Sequence, residues 1–155
     1  MTDNDIVAAR HVELEAALTE WRTATSAHDG AAHRHAKLVA RTPAICRALK
    51  VTAHELGWLR HWHLTGTHPR PTDGGSYQTR AYHYSHFIRS KVAQDWHARL
   101  NQAEADERVA FACLADATRA LVHLIGLAST AHVTGLTEGQ ARGLCRRSVH
   151  GPTPT

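Results

Sequence analysis

The sequence predicts an all-α protein, a bundle of about five to six helices in a single domain over residues 1–155. Phe and Tyr together number only five, whereas alanine is abundant, which favours closely packed helices over a sheet. Apolar residues recur at spacings of three and four in several stretches. Two T-x-x-E/Q motifs, beginning at Thr52 and Thr137, are typical of helix starts.

The first predicted helix begins at Asp3 or Asn4, which can cap it, and runs to about Ser26. Val7, Leu14 and Trp21 recur every seven residues, and His11 and Leu18 lie on the same stripe of this amphipathic helix. Such a stripe needs a partner, either in the same chain or in a second copy. The segment His28–Gly30 should break this helix, and a short basic helix is expected over residues 31–40.

Two helix starts lie close together in residues 41–63. Thr42 followed by Pro43 is typical of an N-cap with proline at the first helical position. Thr52 and Glu55 have the capping-box pattern, so a short helix must turn into a second one at Lys50 and Val51. Apolar side chains are spaced so that two steeply crossing helices could bury them against each other: Ile45, Leu49, Val51, Leu56 and Leu59.

This pair resembles the helix-turn-helix of bacterial DNA-binding proteins over residues 42–62. Two positions depart from that pattern. Lys50 stands where a turn glycine is usual, and Gly57 lies inside the would-be recognition helix, where it costs about 1 kcal/mol relative to alanine. The alternative is an ordinary helical hairpin.

The rest of the chain is predicted as one long loop followed by further helices. Residues 65–76 are rich in Pro and Gly, so they should form a loop, and residues 77–88 carry enough aromatic residues for either a short β arm or an irregular segment. Ser90 can cap a helix that begins a core and oligomerisation region over residues 92–150. The second half of the helix predicted over 107–132 is apolar nearly all round, so we expect other helices or a second subunit to enclose it. The tail 151–155 should fray.

Charge is distributed unevenly along the chain. Residues 1–30 hold two basic and six acidic side chains, and residues 31–91 hold ten basic and two acidic ones. Residues 92–155 hold six of each kind. The middle segment, with a net charge of +8, also contains eight of the fourteen histidines. Such a segment attracts polyanions, because phosphate neutralisation dominates nonspecific nucleic-acid binding, although a basic segment is often only a solvated face.

The sequence also indicates the cellular compartment in which we expect the protein. Cys46, Cys113 and Cys145 are far apart, so we expect reduced thiols, each a small buried apolar residue. The start of the chain is acidic, which is the reverse of a secretory leader, and the longest apolar window contains Asp116, Arg119 and His123. These features predict a cytoplasmic protein that does not associate with membranes.

The candidate nucleic-acid contacts follow from the helix pair. One face of the second helix would present His54, Gly57, Trp58 and His61, with basic residues flanking it. That face lacks Asn, Gln and Arg, which read base edges best, so specificity should be weak. Trp58 and Trp62 could equally be core aromatics. The full candidate set comprises Arg41, Arg47, Lys50, Thr52, His54, Trp58, Arg60 and His61.

Histidine is unusually frequent, which raises the question of zinc. His61, His63, His83 and His86 could supply two ligands from each of two segments. However, an i, i+2 pair on a helix points to different faces, and none of the strong zinc signatures accompanies these histidines. We therefore predict no cofactor, with zinc at these four residues as the alternative. The chain has no G-x-S-x-G, Walker A or G-x-G-x-x-G motif, so we predict that it is not an enzyme.

A second resemblance rests on the run Ala48–Thr52, then Glu55-Leu56 and Trp58-Leu59, followed by His83-Tyr84, Phe87 and Lys91. These residues are similar to the short helical N-terminal region of retron-type bacterial reverse transcriptases, over residues 48–91. Nothing after Lys91 resembles a polymerase palm, and no Y-x-D-D motif is present. The resemblance therefore implies a segment that contacts nucleic acid, without polymerase activity.

Taken together, these observations predict a small DNA-binding transcriptional regulator that uses the basic helix-turn-helix-like region and self-associates through its 107–132 helix. The alternative is a non-enzymatic helical module that binds another protein, as a partner or as a subunit of a larger complex.

Overall fold

The computed structural model describes residues 1–67 and 77–148, and it confirms the all-α class. Seven helices and no strand are found in this described part of the chain. The helices are α1 (Asp3–Ala40), α2 (Thr42–Leu49), α3 (Ala53–Thr65), α4 (Tyr77–Arg89), α5 (Lys91–Ile125), α6 (Leu127–Thr134) and α7 (Glu138–Ser148).

Contacts divide the chain into two compact units. Unit 1 consists of Met1–His33 together with the chain from Ala105 onward, and unit 2 is Arg34–Glu104. The long helices α1 and α5 contribute residues to both units. The single domain expected from the chain length stays a prediction.

The core of unit 1 is formed by α1 and α5. Leu14, Leu18 and Trp21 pack with Leu121, and the indole Nε1 of Trp21 donates a hydrogen bond to the Thr118 hydroxyl at 3.1 Å. The predicted stripe of α1 therefore finds a partner within the same chain over its second half. Its first half does not, because Val7 is 68% exposed and His11 is also exposed.

The predicted break at His28–Gly30 is wrong, because α1 continues without interruption to Ala40. A glycine inside a helix costs about 1 kcal/mol, which tertiary packing can outweigh. Ala24 and Ala31 are both buried on either side of Gly30, so packing holds this segment in the helix.

The helix expected over 107–132 is divided. Helix α5 starts just after Ser90, whose hydroxyl accepts a hydrogen bond from the Ala93 N–H at 3.1 Å, and it continues as one helix to Ile125. Gly126 then adopts φ +82°, a conformation that glycine reaches without steric cost, and α6 follows.

The capping box predicted at Thr137 is confirmed, since Thr137 and Gln140 exchange hydrogen bonds of 2.9 and 3.0 Å at the start of α7.

The β arm suggested for residues 77–88 is wrong, because this segment forms helix α4. Phe87 is completely buried and Tyr84 packs against the same core, while Arg80 is 4% exposed. These three positions are spaced by four and three residues, which places them on one face of a helix. Burial of that face outweighs the weak β preference of aromatic residues.

Two predicted segments fall outside the described residues, namely most of the loop at 65–76 and the tail at 151–155. The described part of the loop shows that α3 ends at Thr65, with Gly66 in the left-handed conformation at its C-cap.

The prediction that each cysteine is buried fails at Cys113, which is exposed, whereas Cys46 and Cys145 are half-buried. Burial raises the pKa of the Cys46 thiol.

Candidate nucleic-acid interface

Unit 2 contains the predicted pair of short helices, α2 and α3, joined by a tight turn. Lys50 adopts φ +56° and ψ +47° at the end of α2, and its N–H and that of Val51 donate to carbonyl groups of Arg47 and Cys46. Left-handed geometry with such hydrogen bonds is a common way to end a helix, although glycine usually occupies the position. The chain thus completes the turn with lysine at the place where the resemblance led us to expect glycine.

The capping box at the start of α3 is confirmed. The Thr52 hydroxyl accepts from the Glu55 N–H at 3.1 Å, and the Glu55 carboxylate accepts from the Thr52 N–H at 3.2 Å. Two N–H groups that α3 would otherwise leave without partners are therefore satisfied. Since these bonds involve residues three apart in sequence, the sequence alone was sufficient to predict them.

The facing sides of α2 and α3 are buried as predicted. Ile45, Leu56 and Leu59 are almost fully buried, and they share one core with Phe87, Trp96 and Leu100 from α4 and α5. Leu49 and Val51 pack against this core as partly buried residues. The core therefore anchors the helix pair on the other helices of unit 2.

Burial of Leu56 and Leu59 determines which side of α3 faces outward. His54, Gly57, His61 and Leu64 are exposed, at spacings of three and four residues. Arg41 is exposed at the start of α2, Arg47 is exposed in its last turn, and Lys50 and Thr52 are exposed at the α2–α3 turn. Six of the eight predicted contact residues therefore lie on the surface.

Trp58 does not belong to the outward face, which corrects its predicted role as a contact residue. Its ring packs against the unit 2 core, and the Arg80 guanidinium carbon lies 5.3 Å from the ring centroid. The indole Nε1 is buried without a hydrogen-bond partner among the described residues. The core-aromatic alternative is therefore the one that the structure supports for Trp58.

Arg60 was predicted to contact phosphate, and this is also corrected, because its guanidinium is directed into the protein. Its Nε donates to Nδ1 of His97 at 3.0 Å, and one Nη donates to the amide oxygen of Asn101 at 2.8 Å. The same nitrogen lies 3.6 Å from the Glu104 carboxylate, and the guanidinium carbon lies 5.4 Å from the Trp96 ring centroid. These partners use the edge of the guanidinium formed by Nε and one Nη, which is one of the edges through which arginine makes bidentate contacts with phosphate.

His97 is the buried member of this network. Burial lowers its pKa to about 4, and the nearby Arg60 and His63 contribute in the same direction. In the neutral ring, Nδ1 can accept from Arg60, whereas in the charged ring both nitrogens are donors. The contact with Arg60 therefore requires neutral His97.

The outward cations have few acidic neighbours. Residues 34–67 contain six basic side chains and a single carboxylate, that of Glu55. Glu55 is already used, because it caps α3 and lies 3.6 Å from the His83 ring. Within the described part of the chain, no carboxylate pairs with Arg41, Arg47 or Lys50.

The four zinc candidates have separate surroundings. His83 faces Glu55, His86 lies against Tyr82, and His63 contacts the rings of Phe87 and His97. His61 is exposed on α3. No group of three or more potential ligand residues is found among residues 1–67 and 77–148.

The sequence interpretation missed the polar network of His97, Asn101 and Glu104. These residues lie at i, i+4 and i+7, which forms a polar stripe on the same helix as Trp96 and Leu100. A polar stripe beside buried apolar residues indicates that another segment of the chain supplies a charged partner. Its partner, Arg60, is 37 residues from His97 in sequence, so only the tertiary structure identifies the pair.

Comparison with known proteins adds no assignment, since no protein-family model matches the chain and no curated protein or solved structure is significantly similar to it. Among the helices described, none combines the length and apolar character that crossing a bilayer would require.

The left-handed turn residue yields a direct test of the α2–α3 connection. Replacing Lys50 by glycine should raise the free energy of unfolding by up to about 1 kcal/mol, because glycine avoids the steric cost of positive φ, which exceeds its own cost in backbone entropy. Chemical denaturation followed by circular dichroism measures this change. Lys50→Ala is the matched control, because it removes the same charge but keeps a Cβ. Equal stabilities for the two variants would contradict the left-handed turn.

Proposed function

We propose that the protein binds duplex DNA, as a small transcriptional regulator, through a cationic surface on α2 and α3. This surface consists of Arg41 at the start of α2, Arg47 in its last turn and Lys50 at the α2–α3 turn, together with Thr52, His54 and His61 of the α3 segment. The observation that carries the proposal is the exposure, on two short helices joined by a tight turn, of three cations that have no carboxylate partner among residues 1–67 and 77–148.

The composition of the surface favours contacts to phosphate over readout of bases. Arginine and lysine contact phosphates, which position a protein on DNA without regard to sequence. The outward face of α3 offers two histidines, a glycine and a leucine, and none of the side chains that form bidentate contacts with guanine or adenine. Binding should therefore be strongly salt-dependent and weakly specific.

Removing the three cations should weaken DNA binding. The variant Arg41→Ala/Arg47→Ala/Lys50→Ala should bind a labelled DNA duplex roughly a hundredfold more weakly at about 0.1 M salt, because each lost phosphate contact no longer releases a counterion. The slope of log K against log salt concentration should fall by up to about 2.7, which is about 0.9 for each contact. Fluorescence anisotropy titrations at several salt concentrations measure both quantities.

The matched control is Arg22→Ala/Arg99→Ala/Arg108→Ala, which removes three exposed arginines outside the cationic surface. It changes the net charge by the same amount, so a general charge effect would weaken both variants alike. If the two triple variants have the same affinity and the same salt slope, the proposed DNA surface does not exist.

The alternative function, a module that binds another protein or a second copy of itself, is favoured by exposed apolar side chains in unit 1. Val7, Val12 and Val109 are each about two-thirds exposed. Much of the 107–132 segment is already packed within the chain, since Leu114, Ala117 and Leu121 contact residues of α1. In this alternative, Arg41→Ala/Arg47→Ala/Lys50→Ala would bind the protein partner as tightly as the wild type does.

A further inference from the structure

Helix α4 has an outward face that the proposed duplex surface does not use. Phe87 and Arg80 are buried on its inner side. The residues on the opposite side, which we call the α4 outer face, recur at three- and four-residue spacings and are all exposed: Gln78, Thr79, Tyr82, His86 and Arg89.

The centre of the α4 outer face is aromatic. Tyr82 is 61% exposed, and its ring centroid lies 4.4 Å from that of His86, one helical turn away. The His83 ring is 5.7 Å from Tyr82 in an edge-on arrangement. Tyr82 therefore packs beside two rings of its own helix and still presents a largely uncovered π surface.

Positive charge borders this aromatic centre. Arg89 is exposed, and its Nε donates to the Ser85 carbonyl at 3.1 Å, which holds the side chain along the helix. Among residues 1–67 and 77–148, the other donors of this guanidinium group have no hydrogen-bond partner. Lys91 is exposed just beyond the end of α4, and α4 itself contains no acidic residue. In the described chain, no carboxylate pairs with Arg89 or Lys91.

We propose that the α4 outer face binds single-stranded nucleic acid, with an unpaired base stacked on Tyr82 and flanking phosphates on Arg89 and Lys91. An exposed aromatic ring beside cations is the combination by which proteins bind single strands with little sequence preference. Arg89 is seven residues from Tyr82, about 10 Å along the helix axis, so one strand can reach both residues. A duplex cannot use the ring in this way, because its bases are already stacked.

This inference does not rest on the proposed duplex surface. The residues involved belong to a different helix and include none of Arg41, Arg47 and Lys50. Each proposal can therefore fail without the other.

The experiment compares three labelled 20-nucleotide probes: oligo-dT, oligo-U, and an abasic DNA strand with the same number of phosphates. We expect the protein to bind both base-bearing strands more tightly than the abasic strand. Tyr82→Ala should weaken binding of the base-bearing strands roughly 5- to 150-fold, the range expected for loss of one stacked base. Binding of the abasic strand should change little. Tyr82→Phe keeps the aromatic ring and should restore wild-type affinity.

Arg89→Ala/Lys91→Ala should weaken binding of all three strands. It should also lower the slope of log K against log salt concentration by up to about 1.4, which is about 0.7 for each lost contact on a single strand. Ile88→Ala is the matched control, because it removes an exposed apolar side chain of α4 from outside the outer face. Circular dichroism verifies that every variant is folded.

The proposal is overturned if the wild-type protein prefers none of the base-bearing strands over the abasic strand, or if Tyr82→Ala binds them as the wild type does. It is also overturned if Ile88→Ala weakens binding as much as Tyr82→Ala. If only Arg41→Ala/Arg47→Ala/Lys50→Ala weakens single-strand binding, the strand uses the cationic surface and the α4 assignment is wrong. Loss of duplex binding in that triple variant, with Tyr82-dependent single-strand binding intact, supports both proposals.

Discussion

Replacing Trp96 by alanine is expected to lower the free energy of unfolding by about 3–5 kcal/mol, the range for removing a large aromatic side chain from a core. Trp96 is 1% exposed in the core of unit 2. Its Nε1 donates to the Leu38 carbonyl at 2.8 Å, so α5 is tied to the end of α1 as well. Urea denaturation followed by circular dichroism measures the loss.

A phenylalanine at the same position separates packing from hydrogen bonding. Trp96→Phe keeps an aromatic ring but removes the donor to Leu38. It should lower the free energy of unfolding less than Trp96→Ala does, because most of the apolar contact is retained. The lost hydrogen bond itself contributes about 1 kcal/mol. A loss below about 1 kcal/mol for Trp96→Ala would show that this side chain does not organise the core.

Acidification through the range from pH 6.5 to 4 is expected to remove about 3 kcal/mol of stability through His97 alone. The pKa of His97 is lowered from 6.5 to about 4 in the folded protein, because burial and the adjacent Arg60 disfavour the charged ring. Between these values the unfolded chain binds a proton that the folded chain does not bind. Stability therefore falls as pH falls, at up to about 1.4 kcal/mol per pH unit.

The control for this pH dependence is His97→Asn, which has no titrating ring but can still place an acceptor near Arg60. Free energies of unfolding at several pH values between 4 and 8 should give a curve for the wild type that falls more steeply below pH 6.5 than the curve for the variant. Above pH 7 the two curves should run parallel. Parallel curves over the whole range would mean that His97 titrates alike in the folded and unfolded chains.

The features that the sequence predicted correctly are local. The capping boxes at Thr52 and Thr137 and the cap at Ser90 each involve residues at most three apart. A hydrogen bond between such close neighbours depends little on the rest of the protein, so its residue pattern is sufficient to predict it. The burial of Leu56 and Leu59 followed from helical spacing for the same reason. The N-cap predicted at Thr42 is wrong, because Thr42 already lies within α2 and Arg41 holds the N-cap position without a side-chain hydrogen bond.

The predictions that failed depended on distant partners. Gly30 should end a helix by its own preference, and residues 77–88 have some β preference, yet buried faces keep both segments helical. In the candidate site, Arg60 and Trp58 were assigned to the surface because their residue types suit phosphate and base contacts. Their actual partners, His97 and Arg80, are 37 and 22 residues away.

By itself, the sequence determined that the chain is helical, where several helices begin, and that the middle segment carries a concentrated positive charge. It could do so because caps, helical periodicity and net charge are properties of neighbouring residues. The tertiary structure alone decided which cations remain on the surface. That choice depends on whether another helix supplies a carboxylate within ion-pair distance or a buried imidazole within hydrogen-bonding distance. Glu104 and His97 do so for Arg60, and no such groups do so for Arg47 or Lys50 within the described residues.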